Sequence, residues 1–174
     1  MRIIAGKLKG RDLRSPSDFR VRPTAEHVRG AMLDLLANDI QDARVLDLFA
    51  GTGALGIEAL SRGARSADFI ETRPASLGAL KANIMHLRLR GRARIFKRDA
   101  LPFAGMLTEN SYDLAFADPP YESRMLDRVL DHWRASRFAP VLAVEHAATH
   151  VLPGPPPAVR QVLGDTAISI FRAG

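Results

Sequence analysis

The run Asp47-Leu48-Phe49-Ala50-Gly51-Thr52-Gly53-Ala54-Leu55-Gly56 decides how the rest of this chain is read. It joins a strand, Val45 to Phe49, to a helix, Leu55 to Arg62. Gly51, Gly53 and Gly56 satisfy a G-x-G-x-x-G spacing, which lets the backbone turn sharply and a ligand approach it closely. That spacing alone serves dinucleotide-binding and nucleoside-binding chains equally, so the residues around it must separate them.

Working outward, strand and helix signals alternate: Ala67 to Glu71, Ala75 to Leu89, Ala93 to Lys97, Leu114 to Ala117, Leu126 to Ala135 and Val141 to Glu145. Such alternation predicts an α/β chain with a mostly parallel sheet and helices on both faces. Val159 to Leu163 and Ala167 to Phe171, parted by Gly164-Asp165, predict a C-terminal antiparallel hairpin. Between these, Pro153-Gly154-Pro155-Pro156-Pro157 reads as a stiff connector. Upstream, residues 1–22 carry Arg2, Lys7, Lys9, Arg11, Arg14, Arg20 and Arg22 against Asp12 and Asp18. They form a basic arm or hairpin with Gly6 and Gly10 as turn points. Thr24 is placed to N-cap a first helix running to about Ala37, with Val28, Met32, Leu35 and Leu36 on its core face. One domain is expected over 1–174, divided into the arm 1–22 and a core 23–174.

Composition sets limits. The chain has 174 residues, 47% of them hydrophobic, which suits a single core. A net charge of +6 favours a polyanionic partner such as nucleic acid. With no cysteine, disulfides, thiolate zinc sites and a cysteine nucleophile are excluded. No apolar run is long enough to span a bilayer, so a cytoplasmic protein is expected, a monomer by default. The histidines are scattered, and His146 and His150 at i, i+4 lack a third ligand, so no metal site is expected.

The residues that bear chemistry stand at strand ends. Asp47 faces the glycine loop, where an anion would repel a pyrophosphate but attract the ammonium of a methionine moiety, favouring S-adenosylmethionine over NAD. Glu71 closes the next strand at the distance where a carboxylate meets ribose hydroxyls; a helix cap is the alternative reading. Asp99, after the third strand, is placed to accept from an adenine amino group, or else belongs to a surface ion-pair cluster with Lys97 and Arg98. Asp118-Pro119-Pro120-Tyr121 follows a buried strand. The Asp118 carboxylate and the Pro119 carbonyl can accept the hydrogens of an exocyclic base amine and turn its lone pair outward, while Tyr121 offers a face for the base to stack on.

With those motifs quoted, the chain resembles the RsmD-type family of bacterial small-subunit ribosomal RNA guanine-N2 methyltransferases. The likeness runs almost end to end: Arg2-Ile3-Ile4-Ala5-Gly6, Arg22-Pro23-Thr24, Asp47 to Gly56 continuing through Ile57-Glu58-Ala59-Leu60-Ser61-Arg62-Gly63-Ala64, and Asp118 to Tyr121. The first two runs are the more selective for this family. The resemblance implies a Rossmann-like, seven-stranded S-adenosylmethionine-dependent methyltransferase fold with a small N-terminal extension. It also implies action on one guanine of 16S ribosomal RNA, held in an assembling or assembled small subunit. In that reading Asp47, Gly51, Gly53, Glu71 and Asp99 meet the cofactor, and Asp118, Pro119 and Tyr121 meet the base. Lys7, Lys9, Arg11, Arg22 and Arg29 are the candidate RNA contacts. The stretch after Glu145 is more compact than the family pattern. Three other readings compete: an adenine-N6 methyltransferase, an NAD-dependent oxidoreductase, and a non-catalytic RNA-binding module.

Overall fold

The computed structural model describes residues 1–16 and 25–174. Its elements run α1 (Glu26–Leu35), α2 (Ala37–Ile40), β1 (Arg44–Asp47), α3 (Ala54–Ser61), β2 (Ser66–Ile70), α4 (Pro74–His86) and β3 (Ala93–Phe96). They continue with α5 (Ala100–Gly105), β4 (Leu114–Ala117), α6 (Met125–Ser136), β5 (Val141–Ala147), β6 (Val159–Leu163) and β7 (Thr166–Arg172). The seven strands form one sheet in the order β3-β2-β1-β4-β5-β7-β6. Strands β1 to β5 pair in parallel, and β7 runs antiparallel to both β5 and β6. The parallel sheet and the C-terminal hairpin are therefore as expected.

Side-chain alternation along each strand divides the core between the two faces. Val45, Phe69, Leu114, Phe116, Ala143 and Ile170 point to one face, where α1, α3 and α4 pack with Ile3 and Leu13 of the arm. Leu46, Ile70, Ala115, Ala117, Leu142 and Val144 point to the other, under α5 and α6 with Phe103, Leu130 and Trp133. Because both faces are covered, β4 is buried at every position.

Several boundaries shift from the sequence expectation. The first helix ends at Leu35, and the short α2 follows it. Helix α5, six residues after Asp99, carries too few turns to show a period and was not foreseen. Strand β5 continues to Ala147, so His146 lies on a strand rather than one helical turn before His150. Thr24, the expected cap, lies outside the described residues, and Ala25 occupies the N-cap of α1 without a side-chain bond.

The arm is a loose hairpin bridged at Arg2 and Asp12, with Gly6 at φ +83° and Gly10 at φ +82°. It docks on α3. A Cβ on Gly6 would stand 2.0 Å from the Ser61 carbonyl oxygen, so only glycine permits this approach. The Lys7 N–H donates to that same carbonyl at 2.8 Å, and the Ser61 hydroxyl donates to the Ala5 carbonyl at 2.6 Å.

Candidate active site

The carboxyl ends of β1 to β5 open into one cavity of about 780 Å³, the size of a small-molecule site. Chain order runs from β1 out to β3 and then returns to β4 on the other side of β1. That reversal is the topological switch point at which open α/β sheets bind ligands.

The glycine loop leaves β1 through Gly51 at φ +56° and Gly53 at φ +86°, conformations other residues adopt only with strain. A Cβ on Gly56 would meet the Phe69 ring at 2.4 Å, so the third glycine serves to press α3 against β2. Across the loop, the Gly51 N–H donates to Glu71 Oε2 at 2.8 Å, while Thr72 and Arg73 N–H groups donate to Oε1 at 2.9 Å each. Backbone thus orients the Glu71 carboxylate before any ligand arrives, using three of the roughly four acceptor sites of an ionised carboxylate. Gly51, Glu71 and Asp99 all line the cavity, the last at the N-cap of α5.

Asp47 and Gly53 do not line it. Asp47 is 1% exposed behind the loop; its Oδ2 accepts the Gly56 N–H at 3.2 Å, and Oδ1 has no hydrogen-bond partner among the described residues. Burial pushes its pKa up to about 7, with the Glu71 charge adding to the shift and the Gly56 bond opposing it.

Buried β4 delivers Asp118, Pro119, Pro120 and Tyr121 to the same cavity from its other side. The Tyr121 hydroxyl donates to Glu145 Oε1 at 2.8 Å and lies 2.7 Å from Thr166 Oγ1. Burial raises the Tyr121 pKa further above its ordinary value, so the hydroxyl remains a proton donor.

The candidate RNA cations fall elsewhere. Lys7, Lys9 and Arg11 are exposed, yet none lines the cavity, and Lys7 sits at the last residue of α3, about 10 Å along the helix from the glycine loop. Arg22 lies outside the described residues. Arg29 corrects the expectation: it is 0% exposed, its Nε is 3.6 Å from Glu58 Oε2, and it donates to the Arg2 carbonyl. A guanidinium so enclosed offers no surface to RNA. Its role is to brace the arm.

Sequence reading gave no place in the site to the cations that do line the cavity, Arg73, Arg98 and Arg128, nor to Ser76 and Glu145. Arg73 and Arg98 flank acids already singled out, so position after a strand end could have found them. Ser76 on α4 is fully buried, with its Oγ lacking a partner among the described residues. His146 bonds Ser169 Oγ and the Ala147 carbonyl at 2.9 Å each, and His150 bonds Asp127 at 2.8 Å. Among the described residues no group of three His, Asp or Glu side chains suits a metal ion, and no helix is long and apolar enough to cross a membrane.

A parallel sheet with an antiparallel β7 beside β5, a glycine loop after β1, and acids at the ends of β2, β3 and β4 around one cavity define an S-adenosylmethionine-dependent methyltransferase fold. The family model described as Conserved hypothetical protein 95 matches residues 1–162, and the chain belongs to that family. The Escherichia coli K12 protein named ribosomal RNA small subunit methyltransferase D is 38% identical over 131 residues, which are 75% of this chain and 65% of that one. Its Haemophilus influenzae namesake is 32% identical over 132 residues, 75% of this chain and 68% of the other. A solved hypothetical protein of Thermus thermophilus superposes with a TM-score of 0.81 at 29% identity, covering 99% of each chain. An RNA methyltransferase of Salinibacter ruber, solved with S-adenosyl-L-homocysteine, shares the fold at TM-score 0.67 and 14% identity, over 87% of this chain and 93% of that one.

Proposed function

We propose that this chain methylates the exocyclic N2 amine of a guanine in small-subunit ribosomal RNA, with S-adenosylmethionine as the donor. The observation that carries the reading is a single cavity in which Gly51, Glu71 and Asp99 face Asp118, Pro119 and Tyr121. Bound there, S-adenosylmethionine supplies an activated methyl group.

The chain's own residues divide the remaining work. Glu71, fixed by its backbone donors, accepts from ribose hydroxyls, and Asp99 accepts from the adenine amine. Asp47 acts on the methionine end as a charge behind the loop, and a nearby ammonium favours its ionised form. Gly53 keeps that loop in its left-handed turn. A purine amine is a poor nucleophile because its lone pair is delocalised into the ring. Asp118 and the Pro119 carbonyl accept its hydrogens, rotate the lone pair out of conjugation, and Asp118 takes the proton the amine sheds. Tyr121, held by Glu145 and Thr166, offers its ring to the extruded base. Arg73, Arg98 and Arg128 around the cavity meet phosphates, with Lys7, Lys9, Arg11 and Arg22 extending the basic surface. The homologues' names support ribosomal RNA as the substrate. We further propose that this RNA is held within a small subunit or its assembly intermediate and is met in the cytoplasm by a monomer of this chain.

Asp118→Ala tests the assignment. Methyl incorporation into small subunits lacking the modification should fall by about a hundredfold or more, the scale of losing one transition-state contact, while S-adenosylhomocysteine affinity is unchanged by calorimetry. Wild-type incorporation by the variant would remove Asp118 from the chemistry.

A further inference from the structure

Resting on the guanine reading above, we infer that Glu145 is a base-reading residue, accepting the N1–H of the target guanine beside the N2 amine held by Asp118. Strands β4 and β5 are parallel neighbours in register Ala117 to Val144, so Asp118, the first residue past β4, stands beside Glu145, which is still within β5. Neighbouring strands lie about 4.8 Å apart. Both carboxylates line the cavity, and Glu145 is 6% exposed. Its orientation is set by Tyr121, which Thr166 in turn holds. Thr166 of β7 stands 2.7 Å from the Tyr121 oxygen, and Tyr121 donates to Oε1 at 2.8 Å.

Two acceptors side by side select for two adjacent donors. The Watson–Crick edge of guanine presents N1–H next to its C2 amine, a donor pair that Glu145 and Asp118 can receive together. Adenine presents its amine next to an unprotonated N1, which would set a lone pair against a carboxylate that can only accept. A flipped base is read on this edge, and a site built to bond a particular N–H rejects analogues lacking it far more strongly than one that tests shape. Glu145 therefore supplies discrimination where the Asp118 contact, common to any exocyclic amine, supplies none.

The test uses 2-aminopurine, which keeps the methyl-accepting amine at C2 but has a bare N1. Small-subunit RNA carrying either guanine or 2-aminopurine at the methylated position, made by ligation and reconstituted with subunit proteins, is offered to wild type and Glu145→Gln. Wild type should prefer guanine. In Glu145→Gln, whose amide can donate to N1, the guanine to 2-aminopurine ratio of kcat/KM should fall at least tenfold. Tyr121→Phe, which keeps the carboxylate and loses only its anchor, should lower both rates and retain the ratio. Equal losses on both substrates in Glu145→Gln would overturn the inference and leave Glu145 as a positioning residue for Tyr121. A wild type that methylates adenine instead would overturn the guanine reading itself, a distinct result.

Discussion

Asp47 is a buried acid set directly behind the glycine loop. A carboxylate this deep, with a single backbone donor at 3.2 Å, resists ionisation, which places its pKa near 7. An unfolded aspartate titrates near 3.9, so between those values the folded chain keeps a proton that the unfolded chain has lost. Stability from this group is full below about pH 4 and is lost as pH rises through about 7. Asp47→Asn removes the titration. In urea melts of the cofactor-free protein, the variant should gain on wild type between about pH 4 and pH 7 and hold that gain above it, whereas a constant difference from about pH 4 upward would contradict the assignment. Glu71 is the counter-case. Three backbone N–H groups fix it without enclosing it, which leaves it open to the cavity it lines.

At the scale of elements, the N-terminal arm is tied to the core through buried polar groups. Glu58 on α3, 0% exposed, accepts the Ile4 and Ala5 N–H groups at 3.0 Å each, pairs with Arg29, and accepts from Arg62 Nε at 3.2 Å. Asn83 on α4 accepts the Arg14 N–H at 2.7 Å and donates to the Arg14 and Thr52 carbonyls, joining the arm to the glycine loop. Glu58→Ala leaves the Arg29 guanidinium buried without its counter-charge, and desolvation already lowers the Arg29 pKa. The variant should lose about 3–5 kcal/mol of stability, and the Ile4 and Ala5 amides should exchange hydrogen much faster; unchanged protection of those amides would refute the latch. This network also marks where the sequence stopped being readable. Strand β4 and the hairpin β6–β7 were legible because their apolar runs and turn residues are local. Glu71, Asp99 and Asp118 were legible because each follows such a strand. The pairing of Arg29 with Glu58 spans 29 positions, and a basic residue beside a basic arm carries no local sign of burial. Glu145 was hidden for a similar reason: its place at the cavity depends on β5 lying next to β4, and strand order is a property of the whole sheet.

At the scale of the molecule, the net charge is +6, with Arg73, Arg98 and Arg128 bordering the cavity and Lys7 of the arm lying at the far end of α3. A substrate meeting both would have to extend well beyond one nucleotide, as a folded ribosomal RNA does. Affinity for RNA should fall with salt by about 0.7 in log–log slope for each single-stranded phosphate contact, and Arg128→Ala should reduce the slope by about that amount. Parallel salt lines for variant and wild type would exclude Arg128 from the RNA interface. The most direct test of the central claim is a nucleoside digest of small-subunit RNA, taken from cells lacking this protein and treated with it and methyl-labelled S-adenosylmethionine. Label confined to N2-methylguanosine at one position is the expected result. Label in N6-methyladenosine, or none in wild type while S-adenosylhomocysteine binds, would contradict the account.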